Sequence, residues 1–128
     1  MNYLFSIVGP FFILLVEKFL PYPYFIEEIY KFFLAKSSTS VKMSIALGLL
    51  FSVSEAIFYF LNPNYSLLTI NSSFVRFLTV TPMHITTILI MQYFNKRNLW
   101  WLGLTFAILI HYLFNQISIA GSDPAIAI

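Results

Sequence analysis

No cysteine occurs in this chain, which excludes disulfides, zinc–thiolate centres and thiol nucleophiles and leaves the redox compartment open. Charge is the next scarcity. Only 9% of the 128 residues are charged, where a soluble domain carries about 25%. Five acidic and seven basic side chains cannot cover so apolar a core in water, so lipid is the expected solvent for most of the surface. The +2 net charge is spread along the chain without a basic block, so nucleic acid is not an expected partner. The opening Met1-Asn2-Tyr3-Leu4 has no positive n-region, and no small-residue cleavage site follows the first apolar run. That run is therefore expected to stay as a membrane helix. Internal repeats and low-complexity tracts are missing too.

What is present is apolar and aromatic: 59% hydrophobic residues, 20% Phe, Trp and Tyr, and a mean hydropathy of +0.83. The length fits one small domain. Its punctuation predicts five helices and an all-α integral membrane protein. The first covers 3–20, with a kink at Gly9-Pro10, and ends where Pro21-Tyr22-Pro23 disfavours the α conformation. The second, 23–36, is short for a span and stops at Ser37-Ser38-Thr39-Ser40, which supplies an N-cap for the next. The third covers 41–61 and is closed by Asn62-Pro63-Asn64-Tyr65-Ser66. After a looser stretch over 67–73, the fourth runs over 74–94 with Pro82 inside it. Asn95-Lys96-Arg97-Asn98 turns the chain into the fifth helix, 99–120, and Trp100-Trp101 sit where an interfacial aromatic belt belongs.

The short connections give an orientation. Lys36 and Lys42 flank one turn, Lys96 and Arg97 fill another, and the alternate connections carry no Lys or Arg. By the positive-inside rule the N-terminus is expected inside and the C-terminus outside, in a cell membrane. Lys18 is the one discordant charge, with Glu17 beside it as a partner.

Against this background the polar residues stand out. Glu27, Glu28 and Lys31 lie together in the aromatic second helix, and Glu55, His84 and His111 each interrupt an apolar run. A charge in hydrocarbon costs at least about 2.5–3.5 kcal/mol, so such groups need partners. At 1.5 Å per residue from the inner end, Glu28 lies roughly 12 Å deep, His84 roughly 15 Å, His111 roughly 18 Å and Glu55 roughly 21 Å. All four fall near the middle of a core about 30 Å thick. Their faces agree as well. Ser44, Gly48, Ser52, Glu55 and Tyr59 form one stripe, Thr81, His84, Thr87 and Met91 a second, and Gly103, Ala107, His111, Asn115 and Ser118 a third. Small and hydrogen-bonding residues at such spacing mark the packed faces of membrane helices.

Each of these residues has a bland reading: Glu27 and Lys31 at i,i+4 make an ordinary helix ion pair, and a single histidine packs more often than it catalyses. Together they offer more. Three carboxylates, two imidazoles and an amide at one depth can position a water for hydrolysis, which needs a base, oxyanion donors and an acid. Two histidines and a carboxylate with an open fourth position would also suit catalytic zinc.

The motifs resemble those of a known family. Glu27-Glu28-Ile29-Tyr30-Lys31 is similar to the EExxK motif of PrsW-type intramembrane proteases, and Phe51-Ser52-Val53-Ser54-Glu55-Ala56-Ile57-Phe58-Tyr59 to their second motif. Arg76, Pro82 and His84 follow the order of the third. His111-Tyr112-Leu113-Phe114-Asn115 resembles the HxxxN ending shared with the wider Abi/CPBP superfamily of CAAX-type endopeptidases. Ala56 stands where the family has Asn, and Thr87-Ile88 where a Gly follows the histidine. The resemblance implies an intramembrane endopeptidase with a four-helix catalytic core. Carried over residue by residue, Glu27 would activate water with Glu28 supporting it, and Glu55 and His84 would orient the water or hold a metal. His111 and Asn115 would stabilise the oxyanion. A divalent metal such as zinc, if used, is expected on Glu55, His84 and His111, and the motifs leave metal and metal-free chemistry both open. The expected partners are membrane lipids and a membrane-protein or peptide substrate, with room for an oligomer or a partner membrane subunit.

Two other functions fit the same residues. A non-catalytic scaffold or binding protein can share the fold, because fold does not imply activity. A small proton- or cation-coupled transporter also places Glu and His in the membrane, but it should carry an inverted repeat or paired broken helices, and neither is found.

Overall fold

The computed structural model describes residues 2–17, 19, 22–61 and 70–121. Among the described residues the chain is all helical, with five helices: α1 (Asn2–Glu17), α2 (Pro23–Ser37), α3 (Val41–Leu61), α4 (Ile70–Asn95) and α5 (Trp100–Gly121). Three of them are long and apolar enough to cross a membrane: Val41–Leu61, Phe77–Asn95 and Trp100–Ile117. The five expected helices are present, and three of them have the length and apolar character of a span. The 16 residues of α1 and 15 of α2 extend only about 24 and 22 Å, short of a core about 30 Å thick.

The boundaries follow local chemistry. Pro23 opens α2 at its first position, where its missing N–H is no loss. The Ser40 hydroxyl accepts from the Met43 amide at 3.1 Å, the N-cap bond expected for α3. At the end of α4 the Leu99 amide reaches the Phe94 carbonyl and the Asn98 amide the Asn95 carbonyl, with Asn98 at φ 58°. That is a Schellman turn with asparagine in the left-handed position usually taken by glycine. α4 begins at Ile70, four residues before the expected start, because Asn71, Ser72 and Ser73 lower helix propensity by only tenths of a kcal/mol each. It runs on through Pro82, with the Thr81 hydroxyl donating to the Phe77 carbonyl at 2.6 Å. α1 ends at Glu17, three residues before the expected Leu20. The expected stop over 62–66 lies outside the described residues.

α2 is held among α1, α4 and α5, while α3 packs between α1 and α4, and α4 against α5. Close approach depends on small residues at two places. A Cβ on Gly48 would stand 2.7 Å from the Ile85 Cα, so α3 and α4 meet backbone to backbone there. Gly9 seats the Tyr30 ring, whose hydroxyl donates to the Phe5 carbonyl at 2.7 Å. Serines join α1 to α3: Ser6 donates to the Leu47 carbonyl at 2.6 Å, and Ser54 donates to the Ile7 carbonyl. The expected inward stripes hold at Ser44, Gly48, Ser52, Glu55, His84, Thr87, Met91, Gly103, Ala107 and His111, all buried. Outside, Phe12, Phe33, Phe60 and Ile117 are each more than 60% exposed, whereas Glu28, Lys31 and His84 are fully buried. Apolar outside and charged inside is the distribution that lipid favours.

Candidate functional site

Four helices contribute to one buried polar cluster. α2 presents Glu27, Glu28 and Lys31, α3 Glu55, α4 His84 and α5 His111. Adjacent glutamates on α2 point about 100° apart, yet Lys31 lies at i+4 from one and i+3 from the other. Its ammonium sits 2.6 Å from Glu27 Oε1 and 2.6 Å from Glu28 Oε1. The far face of that ammonium meets the Phe51 ring at 5.1 Å from its centroid, a cation–π contact that suits a desolvated lysine.

His84 spans two carboxylates, one with each ring nitrogen. Nε2 lies 2.6 Å from Glu55 Oε2 and Nδ1 lies 3.2 Å from Glu27 Oε1. With Glu55 ionised, Nε2 must carry the donated proton, so a neutral ring turns an acceptor lone pair at Nδ1 toward Glu27. The Phe51 ring packs on the imidazole with centroids 5.0 Å apart, restraining its tilt. On the other side, His111 Nδ1 donates to Glu28 Oε1 at 2.7 Å and stands 3.8 Å from Glu27 Oε1. The two imidazoles are edge to face at 6.2 Å. Glu55, His84, Glu27, Lys31, Glu28 and His111 thereby form one continuous polar string across the bundle.

His84 Nδ1 is buried and makes no hydrogen bond within the protein, and it lies 3.2 Å from Glu27 Oε1, whose partner is the Lys31 ammonium. Glu28 Oε2 and Ser52 Oγ are likewise buried without a partner. Such atoms are rare in folded proteins and call for a catalytic role, a water or an ion.

The metal donors group differently from expectation. Glu55, His84 and His111 do not form a single set. The donor atoms that lie within 4.8 Å of one another belong to Glu27, Glu28 and His111, and to Glu27, Glu55 and His84. His84 offers a different nitrogen to each of its carboxylates, so a single ion in the second set would break one of those contacts. Lys31 already supplies a positive charge to Glu27 and Glu28. The donor atoms of either set lie close enough to hold an ion, and the same atoms can form a carboxylate–imidazole relay.

Of the six expected site residues, Glu27, Glu28, Glu55, His84 and His111 meet in the cluster. Asn115, four residues beyond His111 on α5, is half-buried, and no hydrogen bond among the described residues joins its side chain to the others. The side chain of Arg76 lies outside the described residues. Lys31 is the residue whose part sequence reasoning understated. An i,i+4 pair with Glu27 was legible, but its second contact to Glu28 and its complete burial depend on the packing of α2 beneath Phe51. Comparison with family models, curated proteins and solved structures finds no match to this chain.

Proposed function

We propose that the cluster hydrolyses peptide bonds within or beside a membrane, as an intramembrane endopeptidase with Glu27 as its base. The reading is supported above all by Glu27 Oε1 and His84 Nδ1, two buried acceptors 3.2 Å apart, the first held by the Lys31 ammonium and the second without a protein partner. A water donating one hydrogen to each would turn its lone pairs outward, toward a carbonyl carbon. As the C–O bond forms, Glu27 takes the water proton and the scissile C–N bond breaks. The proton then passes to the leaving amine. Glu55 fixes the His84 ring through Nε2 and so aims Nδ1. Lys31 holds Glu27 and Glu28 side by side as charged groups. On α5 the Asn115 amide is a donor for the oxyanion, joined by His111 Nε2 when the ring carries a proton on both nitrogens. The chain is then an integral protein of the cell membrane, with the basic α2–α3 and α4–α5 turns inside, and its substrate is a membrane protein or peptide.

A second reading, a non-catalytic scaffold, draws on Lys31, which pairs with both Glu27 and Glu28 without any substrate. One experiment separates the two. The purified chain in lipid nanodiscs is incubated with a mixture of membrane-derived peptides in H2 18O, and new C-termini are read by mass spectrometry. The endopeptidase produces 18O-labelled termini, and Glu27→Gln, which cannot accept the proton, produces none. A wild type that yields no such termini, or a Glu27→Gln variant as active as the wild type, rules out this reading.

A further inference from the structure

The end of the bundle carrying the α2–α3 and α4–α5 turns has a charge pattern that the polar cluster does not use. Lys36, Lys42, Lys96 and Arg97 all lie there, all exposed, and no acidic residue occurs from Ala56 to Ser122 or from Ile29 to Ser54. The α2–α3 turn is tied to the last turns of α4. Gln92 on α4 donates to the Ser38 carbonyl at 3.3 Å and to its hydroxyl at 3.2 Å, and Ser44 donates to the same hydroxyl at 2.9 Å. The basic residues thus stand on a fixed frame.

Beside that frame, between the start of α3 and the last turns of α4, lies a groove of about 400 Å³. Val41, Leu89, Ile90 and Phe94 supply apolar walls, Tyr93 lines the same groove, and Lys96 closes it. Leu89, Tyr93 and Lys96 follow one another at i, i+4 and i+7, so a single face of α4 passes from hydrocarbon to cation. The Arg97 guanidinium packs 3.7 Å over the Tyr93 ring, which holds it at the groove. The Schellman turn at Asn98 fixes the backbone that carries both cations.

A ligand for this place needs an apolar body and an anionic head. We infer that the groove binds an anionic phospholipid, with an acyl chain along Leu89 and Ile90 and the phosphate against Lys96 and Arg97. Basic residues at the mouth of an apolar groove between membrane helices are what such headgroups recognise. A zwitterionic headgroup brings its own ammonium, which Lys96 and Arg97 repel, so the charge of the site selects the anionic class. This inference uses the membrane setting of the helices and is independent of peptide hydrolysis.

The test titrates the purified full chain in detergent with phosphatidylglycerol or phosphatidylcholine of identical acyl chains and counts retained lipids by native mass spectrometry. The wild type should half-saturate with phosphatidylglycerol at least about tenfold below phosphatidylcholine, a difference of about 1.4 kcal/mol. Lys96→Gln with Arg97→Gln should abolish that preference, with helicity by circular dichroism unchanged. Lys96→Arg should keep it, and Lys36→Gln with Lys42→Gln should change it less than twofold. Equal retention of the two lipids by the wild type overturns the inference, as does a preference that survives loss of Lys96 and Arg97. Equal loss in the Lys36 and Lys42 variant also overturns it, because the whole basic end rather than the groove would then be selecting the lipid. Displacement of the lipid by soluble glycerophosphate at similar concentration would mark a phosphate site without a lipid, and overturns it too.

Discussion

At the residue scale, Lys31 decides whether two adjacent carboxylates can exist side by side in an apolar interior. It is fully buried and lies 2.6 Å from each. Removing one partner of a buried ion pair leaves an uncompensated charge and costs about 3–5 kcal/mol. Lys31→Met should therefore lower stability by about that amount, read from denaturation of the purified protein. Lys31→Met combined with Glu28→Gln should regain part of the loss. A Lys31→Met variant as stable as the wild type would show that the ammonium does not stabilise this pair. Asn115 is the opposite case. Its side chain makes no hydrogen bond to the cluster, so Asn115→Ala should leave stability within about 0.5 kcal/mol and, under the proposed function, cut the rate of peptide hydrolysis about 10²–10³-fold as a lost oxyanion donor. An unchanged rate would remove Asn115 from the site. The sequence made these residues visible because charge in an apolar helix is costly. It could not show that His84 would divide its two nitrogens between Glu55 and Glu27, since ring orientation depends on Phe51 and on the meeting of three helices.

At the scale of elements, proline, serine and asparagine punctuation located all five helices, because their local effects on backbone geometry need no tertiary context. The length of α4 was less legible. Asn71, Ser72 and Ser73 look like a helix stop, yet the helix includes them. The spacing of Ser44, Gly48, Ser52 and Glu55 did reveal the face of α3 that meets α4. The second buried face, where Ser54 and Leu47 meet α1, was hidden because an apolar run all round a helix gives no direction. Gly48 tests the α3–α4 contact. Gly48→Ala puts a methyl 2.7 Å from the Ile85 Cα, a backbone atom that cannot swing aside. The variant should lose about 1–3 kcal/mol through overpacking, and the proposed hydrolysis should fall as Glu55 and His84 move apart. A variant with wild-type melting temperature and activity would show that the helices do not approach this closely.

At the scale of the whole molecule, the five helices of the described residues enclose charged side chains and turn aromatic and aliphatic ones outward, so the fold and the site have a common cause. The polar groups that lipid rejects hold the helices together where they meet. Since no ion is needed to join them, a chelator should change neither the melting temperature nor the formation of 18O-labelled termini. About one zinc per purified chain, lost in His84→Ala, would contradict that. The central feature of the molecule is the meeting of glutamates and histidines from four helices. With two histidines and four glutamates in the chain, solid-state NMR can measure it in lipid bilayers on protein carrying 15N-histidine and 13C-glutamate. Two strong through-space couplings are predicted, His84 Nε2 to the Glu55 carboxyl and His111 Nδ1 to the Glu28 carboxyl, both at hydrogen-bond separation. Each should vanish with His84→Ala or His111→Ala respectively. Histidine nitrogens with no glutamate carboxyl in range would contradict the shared site and the hydrolysis built on it.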